Sequence, residues 1–224
     1  MAAETPFDRS DDWAATFAVL ADCVRKPDEA LVEDVEDGHL HAAMEDLTAD
    51  LDLQPANGTM PPEIGSVGDA TESYLGLFEA MRKPFAPLAE SPYKPWYGER
   101  EGLMGGPPAK DMLRRYESVE AEFPAGYPPD HLALEFEYAS LLFESNAEVE
   151  TERFVAHHLD WIPALRATVD DAVAEAPFYR WAIAVADEIT VALRSRLDVD
   201  PVSERDIEEM TSRVDAGRSA RQFP

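Results

Sequence analysis

The stretch Ser10-Asp-Asp-Trp13-Ala-Ala-Thr-Phe17-Ala-Val-Leu20-Ala21-Asp-Cys23-Val24 decides the fold class. Trp13, Phe17, Leu20, Ala21 and Val24 recur at helical spacing, on one face of a 3.6-residue period, without the strict alternation of a half-buried strand. Ser10 or Asp11 is placed to cap this helix, and Pro27 lies beyond its end. The pattern returns along the chain. Leu40, Ala43, Met44, Leu47 and Leu51 form a second stripe, and Tyr74, Leu77, Phe78 and Met81 form another over residues 71–81. Residues 110–123 read as a short helix with Met112, Tyr116 and Val119 inward. Pro129 suits a first helical turn, and the helix it opens runs to Glu144 with Leu132, Phe136, Ala139, Leu142 and Phe143 on its core face. Residues 150–161 continue the pattern until Pro163 ends or kinks it, and Pro177 opens a long helix to about Leu197. Ser203 and Asp206 have capping-box spacing, so a short helix is expected over 204–214, with 215–224 frayed. Alternating β-branched runs and fixed-period repeats are both missing. The expectation is an all-α, single-domain helical bundle over residues 1–200, followed by a short terminal helix and frayed tail over 201–224.

Composition narrows the function. The 224 residues hold 46 Asp and Glu against 19 Lys and Arg, a net charge of −27. A hydrophobic share of 45% supports a core despite that charge, so a disordered acidic chain is not expected. Such a surface repels phosphate, which argues against nucleic acid, and no basic face invites an anionic membrane. Apolar runs are too short to span a bilayer, and the first residues lack a secretory pattern, so the expected location is the cytoplasm. Cys23 is the single cysteine, which excludes an internal disulfide. The basic residues include only four lysines, and the carboxylates are dispersed. That balance resembles a cytosolic protein adapted to molar salt, where the Debye length shrinks to ~3 Å and distant charges cease to steer.

Catalytic motifs are poorly represented. The five histidines, His39, His41, His131, His157 and His158, include no His-x-x-x-His pair, so no metal site is expected. Cys23 lies on the apolar side of its helix and reads as core. There is no Gly-x-Ser-x-Gly and no phosphate-binding loop, and Gly102-Leu-Met-Gly-Gly106 reads as a turn. A binding protein without cofactor is favoured over an enzyme.

Three segments break the bland pattern: Tyr74-Leu-Gly-Leu-Phe78, Ser91-Pro-Tyr-Lys-Pro-Trp-Tyr-Gly98 and Pro128-Pro-Asp-His-Leu132. The middle one sits in an irregular stretch, 84–108, too long to be a simple connection. Its rings Tyr93, Trp96 and Tyr97 either pack beneath the loop or line a groove for a partner. Asp130 either complements a helix dipole or joins His131 at the rim of that groove.

In order, Tyr74-x-x-Leu77-Phe78, Pro92-Tyr-x-x-x-Tyr97, Gly102-Leu-Met-Gly-Gly-Pro107 and Pro128-Pro-Asp-His-Leu-Ala-Leu-Glu135 resemble the TorD/DmsD/NarJ family of cytoplasmic chaperones for molybdenum-cofactor oxidoreductases. Phe154-Val-Ala-His-His-Leu-Asp-Trp161 and Pro177-Phe-Tyr179 add to the likeness. The resemblance implies an all-α fold of about ten helices, no catalysis, and binding of the twin-arginine signal peptide and immature apoprotein of a partner reductase of the DMSO or TMAO type. Nitrate-reductase-type assembly and weak GTP binding are the alternatives. Tyr74, Leu77, Phe78, Pro92, Tyr93, Trp96, Tyr97, Asp130, His131 and Glu135 are the implied signal-peptide-binding residues. Rings and aliphatics would take the leader's apolar stretch, and Asp130 with Glu135 its arginines. A monomer and a domain-swapped homodimer both fit.

Overall fold

The computed structural model describes residues 5–79, 86–94, 104–119 and 126–219. A 3₁₀ turn, Pro6–Arg9, leads into α1 (Ser10–Cys23), followed by α2 (Glu29–Glu36), α3 (His39–Asp50) and α4 (Val67–Tyr74). A π-helical turn, Leu75–Glu79, extends α4. Then come α5 (Pro107–Ser118), α6 (Leu132–Glu144), α7 (Glu148–His158), α8 (Ile162–Asp170), α9 (Pro177–Arg196) and α10 (Glu204–Ser219). The fold is all-α; the one β feature among the described residues is an isolated antiparallel bridge between Ala89 and His131.

The α1–α6 pair is the most extensive helix contact of the bundle. The stripe read from α1 is the reason. Trp13 and Phe17 are fully buried, and Phe143 of α6 stacks on both, with ring centroids 5.9 and 6.0 Å apart. Phe136 closes on Phe17 at 5.6 Å. Ser140 Oγ donates to the Ala14 carbonyl at 2.8 Å, so this buried hydroxyl of α6 is satisfied across the same seam. α3 packs on the other flank of α1, α9 lies against α8 and α1, and α10 covers α8 with Met210 and Val214 buried. Cys23 is core, its thiol pushed up to about 12 by burial and then by Asp22, so it is inert as a nucleophile.

Several local readings need correction. Neither Ser10 nor Asp11 caps α1. Arg9 is at the N-cap, and Ser10 Oγ instead donates to the Phe7 carbonyl at 3.0 Å and meets Asn146 Oδ1 at 2.7 Å. The stripe over 71–81 is not one α-helix: the register widens at Leu75, which turns both Leu77 and Phe78 inward; Met81 lies outside the described residues. Val119, expected inward, is the C-cap of α5 and exposed. Pro129 is not a first helical residue, because α6 begins at Leu132 with His131 as its N-cap. Pro163 starts α8 rather than ending α7, using the first turn where its missing N–H costs nothing.

Candidate functional site

Residues 88–90 run antiparallel to 130–132 and tie the 86–94 segment to the start of α6. Glu90 N–H donates to the Asp130 carbonyl at 2.9 Å, and Leu132 N–H donates to the Leu88 carbonyl at 3.0 Å. The Asp130 side chain completes the seam. Its Oδ2 accepts from the Ser91 N–H at 2.7 Å and from the Ser91 hydroxyl, whose oxygen in turn accepts the Gly106 N–H at 2.9 Å, one residue before α5. Asp130 is fully buried. Burial raises its pKa against the Ser91 hydrogen bonds, and the charge of Glu90 raises it further.

His131 does two jobs. Its Nδ1 accepts the Ala133 N–H at 3.2 Å, capping α6. The neutral ring therefore carries its proton on Nε2, facing Tyr74 Oη at 3.2 Å. Tyr127 packs edge-on against the imidazole at 4.7 Å. Burial first, then the positive charges of Lys26 and Arg25, depress the His131 pKa to about 3. A depressed imidazole contributes stability that is fully present above its unfolded value, near 6.5, and is lost as pH falls toward 3. His131→Asn keeps the capping acceptor and removes the titration. The variant's urea-unfolding free energy is expected to fall less steeply than the wild type's between pH 6.5 and 4. Parallel pH profiles would contradict the role assigned to His131.

Below this seam lies a buried ionic cluster. His158, at the end of α7, places Nδ1 2.8 Å from Glu90 Oε2 and Nε2 2.9 Å from Asp111 Oδ2. Burial pushes this imidazole down, but hydrogen bonding and charge from Glu90, with Asp111, outweigh it and raise its pKa. Glu135 of α6 is fully buried, and its Oε2 accepts the Trp161 indole N–H at 2.9 Å. Tyr93 packs on the same indole at 4.9 Å. The Lys94 ammonium bridges to Asp160 and donates to the His157 carbonyl at 3.2 Å.

The structure thus brings many of the expected site residues together, but not as an open groove. Tyr74, Leu77, Phe78, Pro92, Tyr93, Asp130, His131 and Glu135 are all buried. Tyr74, Phe78 and Tyr179 form an edge-to-face trio with centroids 5.2–5.5 Å apart. Trp96 and Tyr97 lie outside the described residues. Asp130 neither complements a helix dipole nor faces solvent. It lies before the N-cap of α6, and its hydrogen bonds hold the 86–94 segment. Asp130 and Glu135 are therefore unavailable to a leader's arginines in this conformation. Sequence reasoning missed Ser91, Glu90, His158 and Trp161. Their partners are distant in the chain, so local spacing carried no signal for the cluster.

Residues 66–175 match the nitrate reductase delta subunit family model. That span is just under half of the chain, and it holds the whole seam, from Tyr74 through Asp130 and His131 to Tyr93's partner Trp161. No curated protein matches the chain. No helix among the described residues is long and apolar enough to cross a membrane.

A separate surface suits a ligand in this conformation. A cavity of about 640 Å³ opens between α9 and the 198–202 linker leading into α10, beside Pro163 of α8. Val191, Val199, Val202 and Ile207 supply apolar lining; the polar groups include Asp187, Asp198, Asp200 and Arg194, whose guanidinium donates to the Val155 and Asp200 carbonyls. Val191 is half exposed. The side chain of Asp187 is bound to Arg166 at 3.0 Å.

Proposed function

We propose that the chain is an assembly chaperone of a molybdenum-dependent oxidoreductase, binding its apoprotein and the twin-arginine leader that precedes it. The match over residues 66–175 carries this reading. The all-α fold and the ordered motifs from Tyr74 to Glu135 support it. The family's description favours a nitrate-reductase-type client over a DMSO or TMAO reductase.

The leader's chemistry asks for an apolar trough with carboxylates at its edge. The cavity between α9 and the 198–202 linker offers apolar lining and exposed carboxylates at its edge, and we assign it the leader's apolar stretch, with Asp198 toward the arginines. Docking on Tyr74, Leu77, Phe78, Pro92, Tyr93, Asp130, His131 or Glu135 instead requires the 86–94 segment to leave. That would break the Leu88 and Glu90 backbone bonds as well as the Asp130 clasp. Trp96 and Tyr97 belong to the same second route.

Calorimetric titration with a synthetic twin-arginine leader separates the two. Val191→Asp is expected to weaken binding at least tenfold, in low and in molar salt alike. Asp198→Asn should weaken it only in low salt, where exposed charges are not screened. An unchanged affinity in Val191→Asp, with loss in Tyr93→Ala, would move the site to the buried seam. No binding of either the leader or the apoprotein would remove the chaperone reading altogether.

A further inference from the structure

Glu135 has an unusual environment. Its side chain is fully buried, the Trp161 indole engages Oε2, and Oε1 meets no hydrogen-bond donor among the described residues. A second carboxylate, Glu90, itself 2% exposed, lies beside it. Burial, then the charge and proximity of Glu90, raise the Glu135 pKa well above the ordinary range. Two buried acceptors that face each other need something positive between them, either a shared proton or a cation. One oxygen of Glu90, one of Glu135 and one ring nitrogen of His158 lie within 4.8 Å of one another.

We propose that Glu90, Glu135 and His158 form a buried site for one divalent metal ion of the zinc type. The groups around them are arranged as a metal site's supporting shell should be. Asp111 Oδ2 lies 2.9 Å from His158 Nε2 and accepts that N–H; Nδ1, now 2.8 Å from Glu90 Oε2, gives up its proton to solvent as the ion takes the proton's place and becomes the metal's donor. Trp161 holds Glu135 by one oxygen and leaves the other free. Ligand atoms around a tetrahedral ion with bonds of about 2.0–2.2 Å sit roughly 3.3–3.5 Å apart. Side-chain movement of about an ångström therefore suffices, opening the Glu90–His158 contact to admit the ion. One imidazole with two carboxylates suits zinc, cobalt or manganese better than magnesium or calcium, which prefer all-oxygen shells. The Lys94 ammonium is 3.6 Å from Glu90 Oε1, and its charge is engaged by Asp160.

The three ligands come from different places: Glu90 from the 86–94 segment, Glu135 from α6 and His158 from the end of α7. An ion there would pin the segment to the bundle at Glu90, next to the Ser91 that Asp130 holds. This inference stands whether or not the chaperone reading does.

The test uses the full chain, stripped with chelator and titrated with Co²⁺ and Zn²⁺ in molar sodium chloride, which suppresses loose binding by surface carboxylates. Wild type is expected to take up one Co²⁺ per chain with visible d–d absorption, displaced by equimolar Zn²⁺, and to melt at higher temperature with zinc. Glu135→Gln keeps an acceptor for Trp161 and removes a buried group that resists ionisation, so it should fold at least as well. It should lose the Co²⁺ spectrum and at least a hundredfold in affinity. Asp34→Asn, on the exposed surface, should change neither. Co²⁺ absorption unchanged in Glu135→Gln, or a wild type that neither binds stoichiometrically nor melts higher with zinc, would overturn the proposal and leave a shared proton between the two glutamates.

Discussion

Replacing Phe143 with alanine is expected to destabilise the fold by about 3–5 kcal/mol, the range for a large aromatic removed from a packed core. The ring meets Phe7, Trp13 and Phe17 with centroids 5.8–6.0 Å apart, and it is fully buried. The hole would open in the seam between α1 and α6, where both helices are held on both sides and collapse is restricted. Urea unfolding measures the loss, and the near-ultraviolet circular dichroism of Trp13 should weaken with it. A cost below about 1 kcal/mol would mean that the α1–α6 seam is not the centre of the core.

The second large effect concerns the seam around Asp130. Asp130→Ala leaves the buried Ser91 N–H without its acceptor and removes the hydroxyl's partner as well. An abandoned buried donor costs about 1–3 kcal/mol, and the loosened hydroxyl also weakens its hold on the Gly106 N–H. A loss of about 3 kcal/mol is expected. Asp130→Asn should cost under about 1 kcal/mol, because burial already favours the neutral acid and the amide oxygen accepts the same N–H. Limited proteolysis adds a local readout: cleavage within 86–94 should accelerate in the alanine variant before the rest of the chain opens. Equal stability of the two variants would show that Asp130 does not clasp the segment.

These outcomes bear on function as well as stability. If the 86–94 segment is the mobile wall of a binding site, Asp130→Ala should raise its exposure and tighten any ligand that docks beneath it. If the leader sits between α9 and the 198–202 linker, the same variant should leave its affinity unchanged. The leader titration and the alanine variant therefore check each other.

The amphipathic helices were legible from spacing alone. Helical geometry puts Trp13, Phe17 and Leu20 on one stripe of α1 and Phe136 and Phe143 on one stripe of α6, and burial of those stripes drives packing. Weak stripes were harder to read. α2 buries only Leu31 and Val32 among acidic neighbours, and α8 was hidden by a proline that serves as its first turn. The π turn at Leu75–Glu79 was illegible, since its widened register answers to packing against Tyr179 and not to local preference.

The chain by itself determined the all-α class, the aromatic centre of the core and the segments that meet at the seam, because periodicity and burial are properties of neighbours along a helix. Only the tertiary structure decided that Asp130 holds a serine rather than an arginine, and that Glu90, Glu135 and His158 converge. Those pairings join residues 39 and 68 positions apart. Their energies depend on removal from water and on precise distance, and both exist only after the helices have packed.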